Sequence, residues 1–281
     1  MTGELVLVST PIGNLGDLSP RAVAALRSSA LICCEDTRRT AKLLNHAGIT
    51  GVRMAIANEH TEHERVAEVN AALAAGGSVA LVTDAGTPGI SDPGSRLVRA
   101  VIDAGHRVSA IPGPAAFVMA LVVSGFDTSR FVFEGFLPRG GRDRAARLAE
   151  IASERRTVVV HEAPLRVPRT LNDLSRTCGP DRRVALAREL TKLHEEVWRG
   201  DLEAALERVS TTPPRGEHVI VIEGTTTTIE MSDDDLRDAL VAALQSGADR
   251  RTAIATVTAA HGVTKRRVYD LALSIPHARP T

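Results

Sequence analysis

The loop at residues 82–94, VTDAGTPGISDPG, concentrates residue types that bind small ligands through the main chain. It follows an apolar, β-branched run at residues 78–83 that predicts a buried strand, and Pro93 is placed to open the next helix. The glycines allow close approach of backbone groups, and Asp84 adds a carboxylate. Three more segments, STPIGNLGD, CEDTR and IPGPAAF, follow other predicted strands. Because ligands bind outside the carboxyl ends of parallel strands, these four loops predict one ligand site.

None of these loops has the pattern of a phosphate-binding loop. GxxxxGK[ST] is absent from the sequence, and no GxGxxG opens a helix after the first predicted strand. A nucleoside triphosphate or a dinucleotide is therefore disfavoured. The loops suit a ligand with an adenosine and a cation but no phosphate, and S-adenosylmethionine is such a ligand.

Two sets of predicted strands position these loops, and helical patterns alternate with the strands. The first set lies at residues 5–8, 30–34, 52–57, 79–82 and 108–111 and predicts a largely parallel sheet. The second set lies at residues 131–133, 157–160, 184–187 and 219–222, with helical segments such as 202–209 between strands. We therefore predict two α/β domains, at residues 1–124 and 125–226.

The chain after residue 224 is predicted to be a separate helical unit. Ser232 stands ahead of three aspartates, which is the chemistry of a helix N-cap with acids favoured by the dipole. Helical patterns at residues 233–245, 249–260 and 264–273 are separated by SGA and HGV. These patterns predict a helix-turn-helix-like extension at residues 232–276.

Composition limits the classes of function. The formal net charge is zero, and five Phe, one Tyr and one Trp are too few for base-stacking platforms. Cys33, Cys34 and Cys178 fit neither a disulfide framework nor a zinc site and are expected to act as small hydrophobic residues. The longest strongly apolar run, 115–123, is about half of what a spanning helix needs, and the start of the sequence lacks a signal-peptide pattern. We expect a soluble cytoplasmic protein.

Six motifs in a fixed order give the chain a specific resemblance. They are TPIGNLGDLSPRA, CEDTRRT, DAGTPGISDPG, PGPAA, EGFLPR and ARELTK. Together they resemble the ribosomal small-subunit RNA 2'-O-methyltransferases of the tetrapyrrole-methylase superfamily, from residue 5 to about 224. The later residues are similar to that family's helix-turn-helix extension. The resemblance implies two α/β domains with S-adenosylmethionine in the cleft between them, and a cytidine ribose in the decoding region of 16S ribosomal RNA as the acceptor.

The resemblance also implies a set of donor-binding residues. Most lie in the loops of the first domain, and the last three come from the second domain. The implied contacts are Pro11, Ile12, Gly13, Asp84, Ala85, Gly86, Thr87, Ala115, Ala116, Leu190, Glu217 and His218. For Asp84 the alternative is a role in its turn alone.

Methylation of a ribose hydroxyl requires alignment of its oxygen with the donor methyl and removal of its proton. The sequence does not identify the proton acceptor. Lys192 is a candidate if its pKa is depressed, and an ion pair with Glu189 is the structural alternative. Glu35 and Asp84 are candidates to orient the hydroxyl. Arg38 lies at the same strand end as Glu35, where a capped helix start is the alternative.

Two basic segments are candidate RNA contacts. PRGGRDRAAR carries four arginines across a glycine hinge, and TKRRVYDLAL starts the last predicted helix with three cations that oppose its dipole. The alternatives are a solvated helix start and an ordinary folded end cap. The predicted RNA-binding residues are Arg139, Arg142, Arg144, Arg147, Lys265, Arg266 and Arg267.

Two further segments bear on the site. NEHTEHE, residues 58–64, has two histidines three apart but no evident third ligand. We therefore favour a polar helix start or a substrate-facing edge over a metal site, since methyl transfer from a sulfonium needs no metal. VVHEAPLRV departs from the family pattern, because His161 takes a tyrosine position and Leu165 a histidine position, whereas Glu162 and Arg166 match.

The sequence therefore predicts a cytoplasmic S-adenosylmethionine-dependent methyltransferase of the 16S ribosomal RNA ribose, with a homodimer implied by resemblance. A rival in the same superfamily is a C-methyltransferase for a tetrapyrrole precursor of cobalamin or siroheme. A rival of another class is a DNA-binding regulator that senses a metabolite. The last helix offers few Asn or Gln side chains for reading base edges.

Overall fold

The computed structural model describes residues 3–226, 232–261 and 263–275. The chain divides into two compact units, residues 1–224 and 225–281. The first unit holds two five-stranded sheets. Both sheets belong to one compact unit, so a division into domains at residue 124 stays a prediction. Among the helices of the described residues, none has the length and apolar character needed to cross a membrane.

The first sheet is entirely parallel, which confirms the predicted largely parallel sheet, and its strand order is β3-β2-β4-β1-β5. Short apolar runs separated by helices favour this arrangement, because the helices cover both faces. The strands are β1 (Glu4–Val8), β2 (Leu31–Cys34), β3 (Met54–Ile56), β4 (Val79–Leu81) and β5 (Arg107–Ile111).

Helices α1 (Pro20–Ser28), α2 (Thr37–His46), α3 (Glu62–Ala74) and α4 (Ser95–Asp103) flank this sheet. Alternate strand residues face opposite cores, so that Leu5 packs in the cluster with α3 and α4 and Val6 in the cluster with α1. The prediction that Pro93 opens α4 is wrong. Gly94, at φ 128°, is the N-cap, and this conformation keeps the residues before it outside the helix.

The second sheet has strand order β6-β7-β10-β8-β9, in which β6 and β7 are parallel and the other pairs are antiparallel. Strand β9 was not predicted from the sequence, because it is an edge strand whose charged and apolar residues are mixed. A register shift between Phe133 and Gly135 bends β6. The strands are β6 (Phe131–Phe136), β7 (Thr157–Glu162), β8 (Arg183–Arg188), β9 (Glu196–Asp201) and β10 (His218–Ile222).

Helix α5 (Ala116–Ser124) connects the two sheets. It follows the last strand of the first sheet, yet its Ala120 and Leu121 pack on the second sheet in one cluster with Ile12. The opposite face of the second sheet is covered by α6 (Gly141–Ser153), α7 (Val167–Cys178) and α8 (Leu202–Thr211). Two single 3-10 turns lie at Leu15–Asp17 and Pro164–Arg166.

The described residues of the second unit form α9 (Asp233–Gln245), α10 (Arg250–His261) and α11 (Lys265–Leu273), around a core that includes Leu236, Leu240 and Val268. Ser232 caps α9, because its Oγ accepts the backbone N–H of Asp235 at 3.1 Å and the Asp235 carboxylate accepts from Ser232 in return. This capping box explains why α9 begins where the sequence predicts.

Candidate active site

A cavity of about 520 Å³ lies between the two sheets. Loops at the carboxyl ends of β1, β2 and β4 form one side of it, and β6, β7 and β10 contribute the other. This volume is in the range of pockets that enclose small organic ligands. The residues that line it are Ile12, Glu35, Arg39, Asp84, Ala85, Gly86, Thr87, Ile90, Ser91, Asp92, Ala115, Ala116, Phe117, Phe136, His161, Glu162, Ala163, Pro164, Glu217, His218 and Val219.

The structure brings most of the predicted donor-binding residues to this cavity. Nine of the twelve line it: Ile12, Asp84, Ala85, Gly86, Thr87, Ala115, Ala116, Glu217 and His218. Leu190 lines a small adjoining cavity that shares Ile12, Ala116 and Glu217 with the main one. Pro11 and Gly13 flank Ile12 along the chain and line neither cavity. Binding of the donor by these residues stays a prediction.

A short backbone ladder holds the two glycine loops of the first sheet together. Thr10 N–H donates to Gly86 O at 2.8 Å, and Gly86 N–H donates to Thr10 O at 3.0 Å. Gly86 has φ 88°, which residues with a side chain rarely adopt. The Thr10 hydroxyl donates to Thr83 O at 3.2 Å. The cavity wall is therefore preformed by hydrogen bonds between two distant parts of the sequence.

The loop that carries Leu190 is backbone-strained. Glu189 and Thr191 have φ values of 50° and 68°, and neither is glycine. The loop packs tightly on its neighbours, because a Cβ at Gly13 would overlap Lys192 Cγ and one at Gly216 would overlap the Glu189 carboxylate. These contacts explain why glycine stands at both positions.

Lys192 does not have the properties of a base. Its ammonium lies 3.0 Å from Glu189 Oε1 and 3.1 Å from Glu217 Oε2. Burial by itself would lower the pKa of Lys192, but the hydrogen bonds to the two carboxylates outweigh it and raise the pKa. The hypothesis of a depressed lysine pKa is wrong for this reason, and the alternative, an ion pair with Glu189, is observed.

Arg39, rather than Arg38, lines the cavity. Arg39 Nη1 lies 3.4 Å from Asp84 Oδ2. The Arg38 side chain is 87% exposed and folds back onto Asp36, which also caps α2 by accepting Arg38 N–H at 2.8 Å. The Arg38 guanidinium does not line the cavity, although its charge lowers the pKa of Asp84, so a catalytic role for Arg38 stays a prediction. The predicted alternative, a capped helix start, accounts for Asp36 and Arg38.

The carboxylates of Glu35, Asp84 and Asp92 share one region of the cavity. Burial raises the pKa of Asp84, and Arg39 opposes the rise. Burial also raises the pKa of Asp92, to about 6, against a lowering contribution from the Thr83 hydroxyl. Sequence analysis missed Asp92, although Asp92 lies in the glycine-rich loop at residues 82–94.

The wall from the second sheet contains a buried imidazole among aromatic rings. His161 stands edge-on to Phe133 and Phe136, with ring centroids at 5.0 and 5.5 Å. Burial lowers the pKa of His161, which favours the neutral form of the ring. Glu162 is buried and binds Arg166 at 3.1 Å and the Thr170 hydroxyl at 2.6 Å.

Leu165, the other departure from the family pattern, does not take part in this wall. Its side chain is 94% exposed and is not among the residues that line the cavity. Of the two departures, His161 is therefore the one that changes the site.

The arginines of PRGGRDRAAR fall into two groups. Arg139 and Arg142 are exposed, and Arg147 is half-exposed and paired with Glu134. Arg144 is buried, and the prediction that it contacts RNA is wrong. Its guanidinium donates to Asp173 Oδ2 at 2.8 Å, Pro138 O at 2.9 Å and Thr170 Oγ1 at 3.0 Å, and only 5% of the side chain is exposed.

In the second unit, the three predicted cations of α11 differ in exposure. Lys265 and Arg266 are exposed, and Arg267 pairs with Asp233 at 2.8 Å. Thr264 caps the helix by accepting Arg267 N–H at 3.5 Å. The helix start is therefore capped, with two exposed cations, and an RNA role for all three cations stays a prediction.

NEHTEHE supplies a structural carboxylate. Glu62 in α3 is only 4% exposed, and its Oε2 accepts Gly94 N–H at 2.9 Å. It therefore ties the start of α3 to the loop that carries Asp92. The described residues contain no group of three or more His, Cys, Asp or Glu arranged to hold a metal ion.

Comparison with known proteins identifies the family. Residues 4–206 match the tetrapyrrole (corrin/porphyrin) methylases. The chain is 45% identical to ribosomal RNA small subunit methyltransferase I of Synechocystis sp., covering 97% of this chain and 98% of that protein. The protein of the same name from Mycobacterium tuberculosis is 43% identical, with coverage of 97% and 95%.

Solved structures show the same fold at low identity. A cobalt precorrin-4 methyltransferase superposes with a TM-score of 0.59 at 14% identity, covering 78% of this chain and 94% of that chain. Uroporphyrin-III C-methyltransferase from Thermus thermophilus gives a TM-score of 0.55 at 18% identity, with coverage of 78% and 96%. These findings confirm the resemblance and the α/β fold predicted from the six motifs. The chain therefore belongs to the tetrapyrrole methylases and, within them, to the ribosomal RNA small subunit methyltransferase I family.

Proposed function

We propose that this methyltransferase moves a methyl group from S-adenosylmethionine to the ribose 2'-oxygen of a cytidine in the decoding region of 16S ribosomal RNA. The observation that carries the proposal is the near full-length similarity to relatives named for the small-subunit RNA, combined with a cavity lined by glycine loops. We also propose that the enzyme acts in the cytoplasm, and as a homodimer. The partly exposed apolar residues Met119 and Val122 on α5 are consistent with self-association.

The cavity residues fit the proposed donor. Backbone groups of the Thr10 and Gly86 loops approach closely without side chains between them, which suits the adenosine. Asp84 and Glu35 give the site the negative charge that a sulfonium requires. When bound, S-adenosylmethionine supplies an electrophilic methyl group. The chain's residues hold it, exclude water and align the acceptor oxygen behind the methyl carbon.

RNA contacts are proposed on the solvent side of α6 and α7. A surface groove of about 280 Å³ is lined there by Arg144, Arg169, Arg176 and two glycines, Gly140 and Gly141. Arg169 and Arg176 are exposed and seven positions apart on α7, so both project on the same side of that helix.

Together with the exposed Arg139 and Arg142 they form a basic surface that suits phosphates. The buried Arg144 supports this surface through Asp173 and makes no phosphate contact itself. Lys265, Arg266 and Arg267 are proposed as a second phosphate-binding group.

The deciding experiment is transfer of labelled methyl from S-adenosylmethionine to small ribosomal subunits from a strain that lacks this protein. Mass spectrometry of the nucleosides should show a ribose-methylated cytidine. Methylation of a base would contradict the proposed acceptor atom. Methylation of an added uroporphyrinogen, with none of the RNA, would contradict the proposal and favour the C-methyltransferase alternative.

A charge-removal variant tests the basic surface. Replacement of Arg142, Arg169 and Arg176 by Ala should weaken subunit binding and lower the salt dependence of that binding, while donor affinity is unchanged. The control is Arg99→Ala, an exposed arginine on α4 that lines no part of the cavity or groove. Equal subunit binding by the triple variant and the control would contradict the proposed surface.

A further inference from the structure

The proposed reaction leaves a proton to be removed, and the cavity offers several groups that titrate. As the ribose oxygen bonds to the methyl carbon, the bond from that carbon to sulfur breaks with its electron pair on sulfur. The hydroxyl proton must then go to a group within hydrogen-bond distance of the oxygen. The titratable groups that line the cavity are Glu35, Arg39, Asp84, Asp92, His161, Glu162, Glu217 and His218.

Most of these groups are already engaged by the protein. Arg39 is a cation that pairs with Asp84 at 3.4 Å. Glu217 is 78% exposed and pairs with Lys192. Glu162 is fully buried between Arg166 and Thr170. A carboxylate that neutralises a cation is a weaker proton acceptor than an unpaired one.

The two histidines are weak proton acceptors. The Nε2 atom of His161 is buried and has no hydrogen-bond partner among the described residues, and burial lowers the pKa of the ring. His218 donates through Nδ1 to Gly216 O at 2.9 Å. Burial also lowers the pKa of His218, which makes its ring a weaker proton acceptor than an ordinary histidine.

Asp92 has no cationic partner among the residues that the structure describes, and it is held by a rigid turn. Ser91 before it has φ 60°, an uncommon value for a residue with a side chain. Gly89 N–H donates to Pro93 O at 3.1 Å, and Gly94 N–H donates to the buried Glu62 at 2.9 Å. The turn is thus clamped on both sides of Asp92.

The turn also lies where the two sheets meet. A Cβ at Gly135, in the bend of β6, would lie 3.3 Å from Ser91 Oγ. Asp92, the next residue, therefore lines the cavity beside the place where the two sheets meet. Such a constrained side chain at a functional cavity is expected when its position matters for chemistry.

We propose that Asp92 accepts the proton of the acceptor hydroxyl, and that Thr83 and Glu35 position and tune it. The Thr83 hydroxyl lies 3.4 Å from Glu35 Oε2 and also faces Asp92, so its one proton cannot satisfy both carboxylates. The inference rests on the proposed ribose methylation. It names a residue that neither the motifs nor the resemblance assigned.

The charged surroundings of Asp92 set the expected pH dependence. Burial, together with the charges of Glu35, Asp84 and Glu217, raises the pKa of Asp92 to about 6, whereas the Thr83 hydroxyl lowers it. The ionised form accepts the proton. The single-turnover rate should therefore rise with pH through about 6 and level off above it.

The test compares Asp92→Asn and Asp92→Glu with the unmodified chain in single-turnover methylation of small subunits at saturating donor. Asp92→Asn should lower the rate about 100-fold or more and flatten the pH profile, and Asp92→Glu should recover part of the rate. Calorimetric donor affinity should stay within about threefold in both variants. Thr83→Val should move the midpoint of the profile to higher pH, because the hydroxyl that lowers the pKa of Asp92 is gone.

A second readout does not depend on turnover. Carboxyl carbon NMR of the donor-free chain should show one side chain titrating near pH 6, and that signal should be absent from Asp92→Asn. A wild-type rate and profile in Asp92→Asn would overturn the inference, as would a loss of donor affinity that matches the loss of rate.

The outcome for the unmodified chain separates the two proposals. If it makes the ribose-methylated cytidine and Asp92→Asn makes it equally fast, only the inference fails. If it makes no such product, the proposed function fails and the inference fails with it.

Discussion

Replacement of Arg144 by Ala tests whether this buried arginine stabilises the fold, in contrast to the exposed arginines proposed to contact RNA. The guanidinium makes three hydrogen bonds of 2.8 to 3.0 Å to Asp173, Pro138 and Thr170, and its side chain is 5% exposed. Truncation removes all three and leaves the Asp173 carboxylate without its main partner. The predicted effect is on stability, with no direct effect on RNA.

The expected magnitude follows from the burial of the pair. Breaking a buried ion pair by removing one partner costs about 3–5 kcal/mol. Asp173 is 19% exposed and keeps a weaker contact with Arg169 at 3.9 Å, so we expect the lower end, about 3 kcal/mol. Arg142→Ala, two positions earlier and exposed, should change stability by less than about 0.5 kcal/mol.

Urea unfolding followed by tryptophan fluorescence measures this difference. The chain has one tryptophan, Trp198 in β9, and it packs against the same core cluster as Leu148 and Ile151 of α6. Its signal therefore reports on the region that Arg144 supports. The double variant Arg144→Ala with Asp173→Ala should cost less than the sum of the single changes by at least about 1 kcal/mol, because the carboxylate left without its partner is then also removed.

RNA binding by the folded variants completes the comparison. Arg142→Ala should weaken subunit binding and reduce its salt dependence, whereas folded Arg144→Ala should keep both. An unchanged urea midpoint in Arg144→Ala would refute the reasoning. A loss of RNA affinity confined to Arg144→Ala would refute it equally, because that result would require a solvent-facing guanidinium.

Three further outcomes are expected. Asp84→Ala should weaken donor binding at least about tenfold by calorimetry, with an unchanged circular dichroism spectrum; equal affinity would remove Asp84 from the donor site. Gly13→Ala should also weaken donor binding, because the added Cβ overlaps Lys192 Cγ, whereas Gly140→Ala, where a Cβ lies 3.8 Å from Arg169, should not. Asp92→Asn should raise the thermal midpoint above pH 6. Since the folded pKa of Asp92 is raised to about 6, burying its charge costs stability above that pH and costs nothing below about pH 4, so an equal gain at both pH values would contradict this account.

The order of elements and the location of the site could be predicted from local patterns. Apolar runs ending in glycine and proline loops predicted the parallel sheet, and Ser232 with Asp235 predicted the start of α9. Both predictions depend on residues that are only a few positions apart in the chain. The edge strand β9 could not be found in this way, because its stability comes from pairing with β8 rather than from its own composition.

Which individual side chains reach the site was decided by tertiary structure. The sequence alone determined that glycine loops meet at the carboxyl ends of parallel strands, and its motifs identified a methylase. It could not show that Arg39 lines the cavity whereas Arg38 pairs with Asp36, or that Arg144 meets Asp173, 29 positions away. It also missed Asp92, whose pKa depends on burial, on Asp84 in the same loop and on charges from two other segments, at Glu35 and Glu217. Burial and electrostatic energies depend on distances in space, and folding sets those distances between residues that are far apart in the chain.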